Sequence, residues 1–371
     1  MIRPSTRLRA LLSALLLSAS VLACGDPADD ARAQRLERLV TRTETAQARS
    51  DLFGRDLDLL RFLRERLPTV GQRSWVGTND GGLHVLSLRA YHQWNSTAEG
   101  RTVPRGMDYD DPAHPIHAIV ARAESLREAG VDYLYVIVPS RIEVYPELLL
   151  RDLEGASDFP GMSPATFAFQ AELARRGVES VPLLEVFSAN RFGPKGERWL
   201  YLKAGTLWTP AGVALAANEI ATAVSQLPWF EQGPALEGVD FVVDVQALNQ
   251  TAPIPQELAG LPSLETLEPL PIEAIRTRDG LNAHVPSRES PIVLLGDNAV
   301  GIYEQNVAGD LAGQLYRLLG HRLDIVSSSA GDHWLTFDRR PNPLEGKQLV
   351  IEVQSNGFRL PPTPHAPLPT Q

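Results

Sequence analysis

The chain has 371 residues, 43% hydrophobic and 22% charged, the balance of a folded domain with ample material for one large core or two ordinary ones. A formal charge of -10, with no Lys/Arg cluster beyond the first residues, argues against a nucleic-acid binder, because phosphate contacts need grouped cations. The single cysteine, Cys24, excludes an intrachain disulfide, so the fold rests on its core.

Arg3, Arg7 and Arg9 precede an apolar run from Leu11 to Leu22, the pattern of an export signal and too short to span a bilayer comfortably. The run ends in Val21-Leu22-Ala23-Cys24-Gly25, which resembles the lipobox of bacterial lipoproteins. That resemblance implies a signal peptide over residues 1–24, acylation of Cys24, and a place in the periplasm or cell envelope, anchored to a membrane through its lipid. A plain cleaved leader with an incidental cysteine is the alternative, and it predicts a secreted product. Residues 25–73 read as a tether, GDPADDARAQ, followed by amphipathic helical sequence. Leu36, Leu39, Leu52, Leu59, Leu60 and Leu63 recur among charges, and Pro68 ends the pattern. Such a segment caps the domain or meets a partner helix.

Residues 74–360 carry the main domain. Ser74 to Leu88 reads as a hairpin turning at Asn79-Asp80-Gly81-Gly82. Ile116 to Ala129 is helical, with Ile116, Ile119, Val120, Ala123 and Leu126 on one face and Gly130 as its stop. Tyr133 to Val138 is an apolar strand, Pro164 to Arg176 a helix closed by Gly177, and Val178 to Phe187 contains a second strand with Pro182 near its start. Later strands are expected at Ile292 to Leu295, Leu323 to Ser327 and Gln348 to Val353, with Val307 to Leu319 as a crossover helix. Strands alternating with helices predict a doubly wound, mostly parallel α/β sheet of about five strands, with helices on both faces. Residues 228–290, with Pro253, Pro255, Pro262, Pro269 and Pro271, read as an irregular proline-rich insertion, and residues 361–371 as a disordered or polyproline tail.

Two segments are placed to carry chemistry. In Pro291 to Gln305 a buried strand ends at Gly296 and turns at Asp297-Asn298, the point where parallel sheets hold their ligands. In Lys203 to Gly212, KAGTLWTPAG, Thr209 is an N-cap and Pro210 the first helical residue, so the residues before them form a loop over a helix start.

These segments resemble the AlgJ/AlgX-type alginate O-acetyltransferases, members of the SGNH superfamily. The second segment is similar to the family's Asp-Thr-His-Trp-Thr-Pro-x-Gly. Val76-Gly77 through Asp80-Gly81 is similar to its Gly-x-Asp-Gly-Trp-Leu-Phe, with Gly82 where Trp stands. Val138-Pro139-Ser140-Arg141 with Val144-Tyr145-Pro146-Glu147 resembles its Val-Pro-x-Pro-x-Lys and Tyr-Pro. Gly296-Asp297-Asn298 with Ile302-Tyr303 resembles Gly-Asp-Ser with a downstream Ile-Tyr. The resemblance implies an SGNH-like fold in which the acid-base segment precedes the nucleophile turn. Carried over by position, the family's Ser falls on Asn298, its Asp on Gly205 and its His on Leu207.

That chemistry needs a hydroxyl, an imidazole to take its proton and a carboxylate to orient the ring. An Asn amide nitrogen has its lone pair delocalised, Leu accepts no proton, and Gly offers only backbone. The missing groups therefore predict a pseudoenzyme with no cofactor, and the resemblance implies that it binds polysaccharide or scaffolds an exopolysaccharide O-acetylation or export system. An active O-acetyltransferase or esterase using displaced residues is one alternative, and a purely structural envelope lipoprotein is another. Asp332-His333-Trp334, near Ser327, Ser328 and Ser329, superficially resembles the missing motif, but it follows the strand after the nucleophile turn, where Gly331 matches a glycine-bearing oxyanion loop. Asp297 is read as a turn-stabilising carboxylate. Arg141, Tyr145, Lys203, Trp208, Tyr303 and Gln305 are candidates for gripping an acetylated or anionic glycan, since aromatics stack on sugars and cations meet carboxylates. Trp208 and Tyr303 read equally as core. His84, His92, His114 and His117 have no metal-site spacing.

Overall fold

The structure is a computed structural model. It describes residues 27–52, 60–61, 74–77, 83–86, 91, 94–96, 103–150, 161–192, 200–202, 207–233, 239–250, 266–277, 286–301, 310–328 and 331–355. Cys24, the Asn79 to Gly82 turn, Pro68, His92, the His84 side chain and residues 361–371 lie outside what is described.

In chain order the elements are α1 (Pro27–Leu52), the hairpin β1 (Ser74–Gly77) and β2 (Leu83–Leu86), α2 (Pro115–Glu128), β3 (Asp132–Val138), the one-turn α3 (Arg141–Val144), α4 (Pro164–Arg175) and β4 (Glu179–Val181). They continue with α5 (Leu183–Asn190), α6 (Pro210–Val224), β5 (Val239–Gln250), β6 (Thr266–Thr277) and β7 (Ile292–Gly296). The last are the one-turn α7 (Asn298–Gly301), α8 (Leu311–Leu319), β8 (Asp324–Ser327), α9 (His333–Asp338) and β9 (Leu349–Ser355).

The main sheet has five strands in the order β4-β3-β9-β7-β8, and every pair in it is parallel. A parallel sheet is covered on both faces, and its strands read as continuous apolar runs for that reason. Alternate residues divide between two cores. Leu134, Val136, Ile292, Leu294, Ile351 and Val353 face α5, α6 and α8, while Tyr133, Tyr135, Val293, Leu295 and Val350 face α2 and α9. Each fully buried aliphatic or aromatic side chain contributes roughly 1.5–3 kcal/mol. The α/β architecture and the helices on both faces agree with the sequence reading.

Capping follows local chemistry. Thr209 Oγ1 accepts from Gly212 N–H (3.3 Å), Asp310 Oδ1 from Gly313 N–H (2.9 Å) and Ser163 Oγ from Thr166 N–H (3.3 Å), each satisfying an orphan donor at a helix start. Gly177 ends α4 in the left-handed region at φ 79°, as its position after the helix predicted.

Three expectations need correction. The tether after Cys24 is helical from Pro27, because Pro at the first position and Asp29 and Asp30 in the first turn favour a helix start. The strand expected within Val178 to Phe187 stops at Val181; Pro182 precedes α5, whose Leu183, Leu184 and Phe187 are buried as a helix face. The irregular insertion over residues 228–290 contains β5 and β6, which pair antiparallel over their full lengths, and Ile272 of β6 is wholly buried. Pro269 and Pro271 made β6 look like loop, yet in a two-stranded ribbon each strand is an edge and tolerates residues without an N–H.

Candidate functional site

The site lies at the carboxyl edge of the sheet, where β7 delivers Gly296-Asp297-Asn298. Gly296 is required there: a Cβ would come within 2.5 Å of both Val353 O and Val300 Cγ2. Asp297 is buried and fully occupied. Its Oδ1 accepts from Ala299 N–H (2.8 Å) and from Ser355 Oγ–H (3.0 Å), and its Oδ2 accepts from Ser355 N–H (3.0 Å). The carboxylate thus clamps the turn to the end of β9, the structural role expected from sequence. Asn298, by contrast, is exposed at the start of α7.

The second segment closes over this turn. Tyr201 and Trp208 form an antiparallel bridge, Leu202 N–H donates to Leu207 O (3.0 Å), and Thr209 N–H donates to Leu200 O (2.9 Å). Trp208 Nε1–H then donates to Ala299 O (3.1 Å), joining loop and turn across a separation of 91 positions. The structure therefore brings Leu207, half-buried, to the neighbourhood of Asn298. Gly205 and Lys203 fall within the loop's undescribed residues, as do Tyr303 and Gln305 after α7.

Arg141 and Tyr145 were expected on the rim as glycan contacts, and their burial, at 2% and 1% exposed, is a correction; Trp208, at 0%, takes the core position that was its other reading. They hold the loop from beneath. Arg141 Nη1–H donates to Leu202 O (2.9 Å). The Tyr145 hydroxyl accepts from Leu200 N–H (2.9 Å) and donates to Arg191 O (3.1 Å), and burial raises its pKa well above the ordinary phenol value. Tyr201, which the sequence reading passed over, donates its hydroxyl to Pro139 O (2.5 Å). Glu143 was also missed. It completes a capping box at Ser140, accepting from Ser140 N–H (2.6 Å) and Thr166 Oγ–H (2.8 Å), and burial raises its carboxyl above the usual range. A Ser followed three residues later by Glu was the signal available in sequence.

The loop after β8 borders the turn through Ser328 N–H donating to Gly296 O (3.0 Å). Gly331 is exposed in this loop with φ 77°. The Ser328 hydroxyl donates to Asp332 and lowers that carboxyl's pKa. His333 points elsewhere. It is 3% exposed beneath the sheet, with Nε2 at 3.4 Å from Glu352 Oε1. Glu352 also accepts from Tyr133 OH (2.5 Å) and lies 3.5 Å from Arg122 Nη1, whose guanidinium stacks 3.9 Å above the Trp334 ring. Burial alone would raise the Glu352 carboxyl, but the His333 hydrogen bond, the Arg122 charge and the Tyr133 hydroxyl outweigh it and hold the pKa near 2. The same burial, with the Glu352 charge, raises Tyr133. Among the described residues, His333 is thus partnered by the Glu352 carboxylate and not by a serine.

His114 caps α2 through Nδ1, which accepts from Ile116 N–H (3.2 Å), and its ring packs on Trp94, Tyr109 and Phe169. Burial lowers its pKa to about 4. His117 is exposed, and among the described residues no group of three or more His, Cys, Asp or Glu side chains converges as a metal site.

A family model described as the SGNH hydrolase-like domain of acetyltransferase AlgX matches residues 92–339. A probable alginate O-acetylase AlgJ of Pseudomonas syringae pv. tomato is 27% identical over 218 residues, and one of Pseudomonas fluorescens is 24% identical over 216 residues. Each alignment takes in 57% of this chain and 51% of the relative, so the chain spans about half the length of the curated relatives it matches. The solved O-acetyltransferase domain of Pseudomonas putida AlgJ shares the fold, with a TM-score of 0.50 and 19% identity over 77% of this chain and 92% of that one. With the family model spanning well over half of its length, the chain belongs to the AlgX-type SGNH hydrolase-like acetyltransferase family.

Proposed function

We propose that this protein is an exported, lipid-anchored and catalytically inactive member of its family, acting as a binding or scaffold component in exopolysaccharide O-acetylation or export. The observation that supports this most is the bond from Trp208 Nε1 to Ala299 O. It joins the loop aligned with the family's acid-base residues to the turn aligned with its nucleophile, and the residues next in the chain to its two ends are Leu207 and Asn298. Neither can take up a proton from a hydroxyl or attack an acyl carbon. Loss of one triad member typically costs on the order of 10⁴ in rate, and further losses are not additive.

The intact supports of the loop favour a retained surface over simple decay. Asp297, Trp208, Arg141 and Tyr145 all keep the scaffold of a site whose reactive positions are apolar or amide. The relatives are described as alginate O-acetylases, so an acetylated or anionic polysaccharide is the ligand class proposed for this surface, beside other exopolysaccharide-modification proteins. Lys203, Tyr303 and Gln305 are the proposed contacts to it.

Two measurements test the reading. Purified protein should release acetate from an acetyl ester no faster than buffer, and Asn298→Ser should stay within about ten-fold of that background because no imidazole accompanies the new hydroxyl. Titration with acetylated alginate oligosaccharides should show saturable binding that Lys203→Ala weakens. Turnover abolished by His333→Ala would overturn the pseudoenzyme reading in favour of displaced catalysis. Absence of oligosaccharide binding would leave a structural envelope protein instead.

A further inference from the structure

The N-terminal helix constrains which way the site faces. Only Gly25 and Asp26 separate Cys24 from Pro27, where α1 begins. Near its start, Arg32 Nη2–H donates to Gly177 O (2.6 Å) and Arg35 grips both carboxylate oxygens of Glu179 (3.2 and 2.9 Å), at the amino end of β4. Farther along, Arg42 Nε lies 2.6 Å from Glu185 Oε2 in the first turn of α5, past the carboxyl end of β4. Near the end of α1, Ser50 Oγ–H donates to Gly161 O (2.7 Å), next to Met162, whose N–H donates to Glu143 O (2.8 Å) beyond the carboxyl end of β3. Thr43, Ala46 and Ser50 are buried against the domain. The helix therefore runs along the strand direction, beginning level with the amino ends of the sheet and ending level with the edge that carries Asn298. At 1.5 Å per residue, Arg32 to Ser50 covers about 27 Å.

We propose that α1 is a rigid stand-off that seats the amino ends of the sheet against the membrane holding Cys24 and presents the Asn298 edge away from the bilayer. This rests on the proposed lipid anchor. Fully extended, the chain from Cys24 to Pro27 reaches about 11 Å. Turning the Asn298 edge onto the bilayer would lift the start of α1 by more than twice that reach, so the anchor forbids it. At the amino end of the sheet the exposed Arg127, Arg288 and Arg322 stand beside the exposed Glu128, Glu231 and Glu289. A mixed surface of this kind has little attraction for anionic headgroups, so the helix sets the orientation.

Acylation of Cys24 leaves no reactive thiol, so one added cysteine labels one place. The full-length protein, purified with its lipid and reconstituted in vesicles, is labelled at Gln226→Cys, exposed at the amino end beside α1, or at Asn298→Cys. Nitroxide attached to lipid headgroups should quench the first fluorophore at least several-fold more strongly than the second, equally in zwitterionic and anionic vesicles. A flexible Gly/Ser linker of about twelve residues inserted after Cys24 should narrow the difference. Equal quenching at the two positions in acylated protein, or stronger quenching at Asn298→Cys, overturns the stand-off while leaving the anchor intact. A mass spectrum showing Cys24 unacylated overturns the anchor and the stand-off together.

Discussion

Two regions of this molecule divide between them what a hydrolytic site needs in one place. At the carboxyl edge of the sheet are the strand-to-helix turn proposed to match the family's nucleophile position and an overlying loop, stitched together but furnished with Asn298 and Leu207. Beneath the sheet are a histidine, a phenol and a guanidinium that each contact the buried Glu352 carboxylate, with no serine contact among the described residues. The contrast teaches that reactive residue types are informative only through what they face. His333 with Glu352 looks like half a triad on paper, and in space it is a buried polar contact between α9 and β9. The edge that looks inert has the architecture that chemistry would use.

The comparison is broken most forcefully at Glu352. Glu352→Ala leaves the largely enclosed Arg122 and the buried His333 and Tyr133 without their shared carboxylate and should cost about 3–5 kcal/mol in denaturant-induced unfolding, because the loss of one partner strands the others. The same group should dominate acid sensitivity. Its folded pKa, near 2, lies below the ordinary value of 4.5, so its contribution is fully present above pH 4.5 and is lost as the pH falls from there through 2. Glu143 acts with the opposite sign: burial makes the native state hold its proton, so its contribution declines as the pH rises through the usual carboxylate range. Subtracting the unfolding profile of Glu352→Gln from that of the unaltered protein isolates the first effect; a flat difference between pH 5 and 2 would deny Glu352 its role.

A middle-sized effect is expected where loop meets turn. Trp208→Phe removes the donor to Ala299 O while keeping most of the ring, and should cost about 1–2 kcal/mol. Hydrogen exchange should quicken at Leu202 and Thr209, whose N–H groups close the loop, and remain unchanged in β3. The smallest effect belongs to the exposed slot itself. Asn298→Ala should change unfolding free energy by less than about 0.5 kcal/mol, since the side chain is exposed. A large loss there would show Asn298 to be part of the frame, and the two regions would no longer contrast.

Much of the frame was legible because its signals are local. The apolar run of β7, the Thr209-Pro210 helix start and the Gly177 stop each announce themselves within a few residues, and together they place the site's two segments on the right elements. Their meeting was not readable from residue chemistry, since the Trp208 bond spans positions that no periodicity links. Buried polar groups were the hardest to place. Arg141 and Tyr145 look like ligand-binding residues in a one-dimensional reading, but their polar atoms are consumed by the carbonyl and amide groups of the 200–202 loop. β6 was hidden for a different reason, its prolines being compatible with an edge strand that composition alone does not identify.

The position of β9 bears on how the chain acquires this structure. It is the last strand described, yet it lies at the centre of the sheet, bonded to β3 on one side and β7 on the other, and its Ser355 completes the Asp297 clamp. The pairs β4-β3 and β7-β8 have no strand contact until it arrives. Closure of the sheet therefore waits on pairings between residues more than two hundred positions apart, a high contact order that makes folding slow. A chain still being made would carry two unjoined half-sheets with exposed inner edges, and the turn at Gly296 would remain unclamped until β9 was inserted.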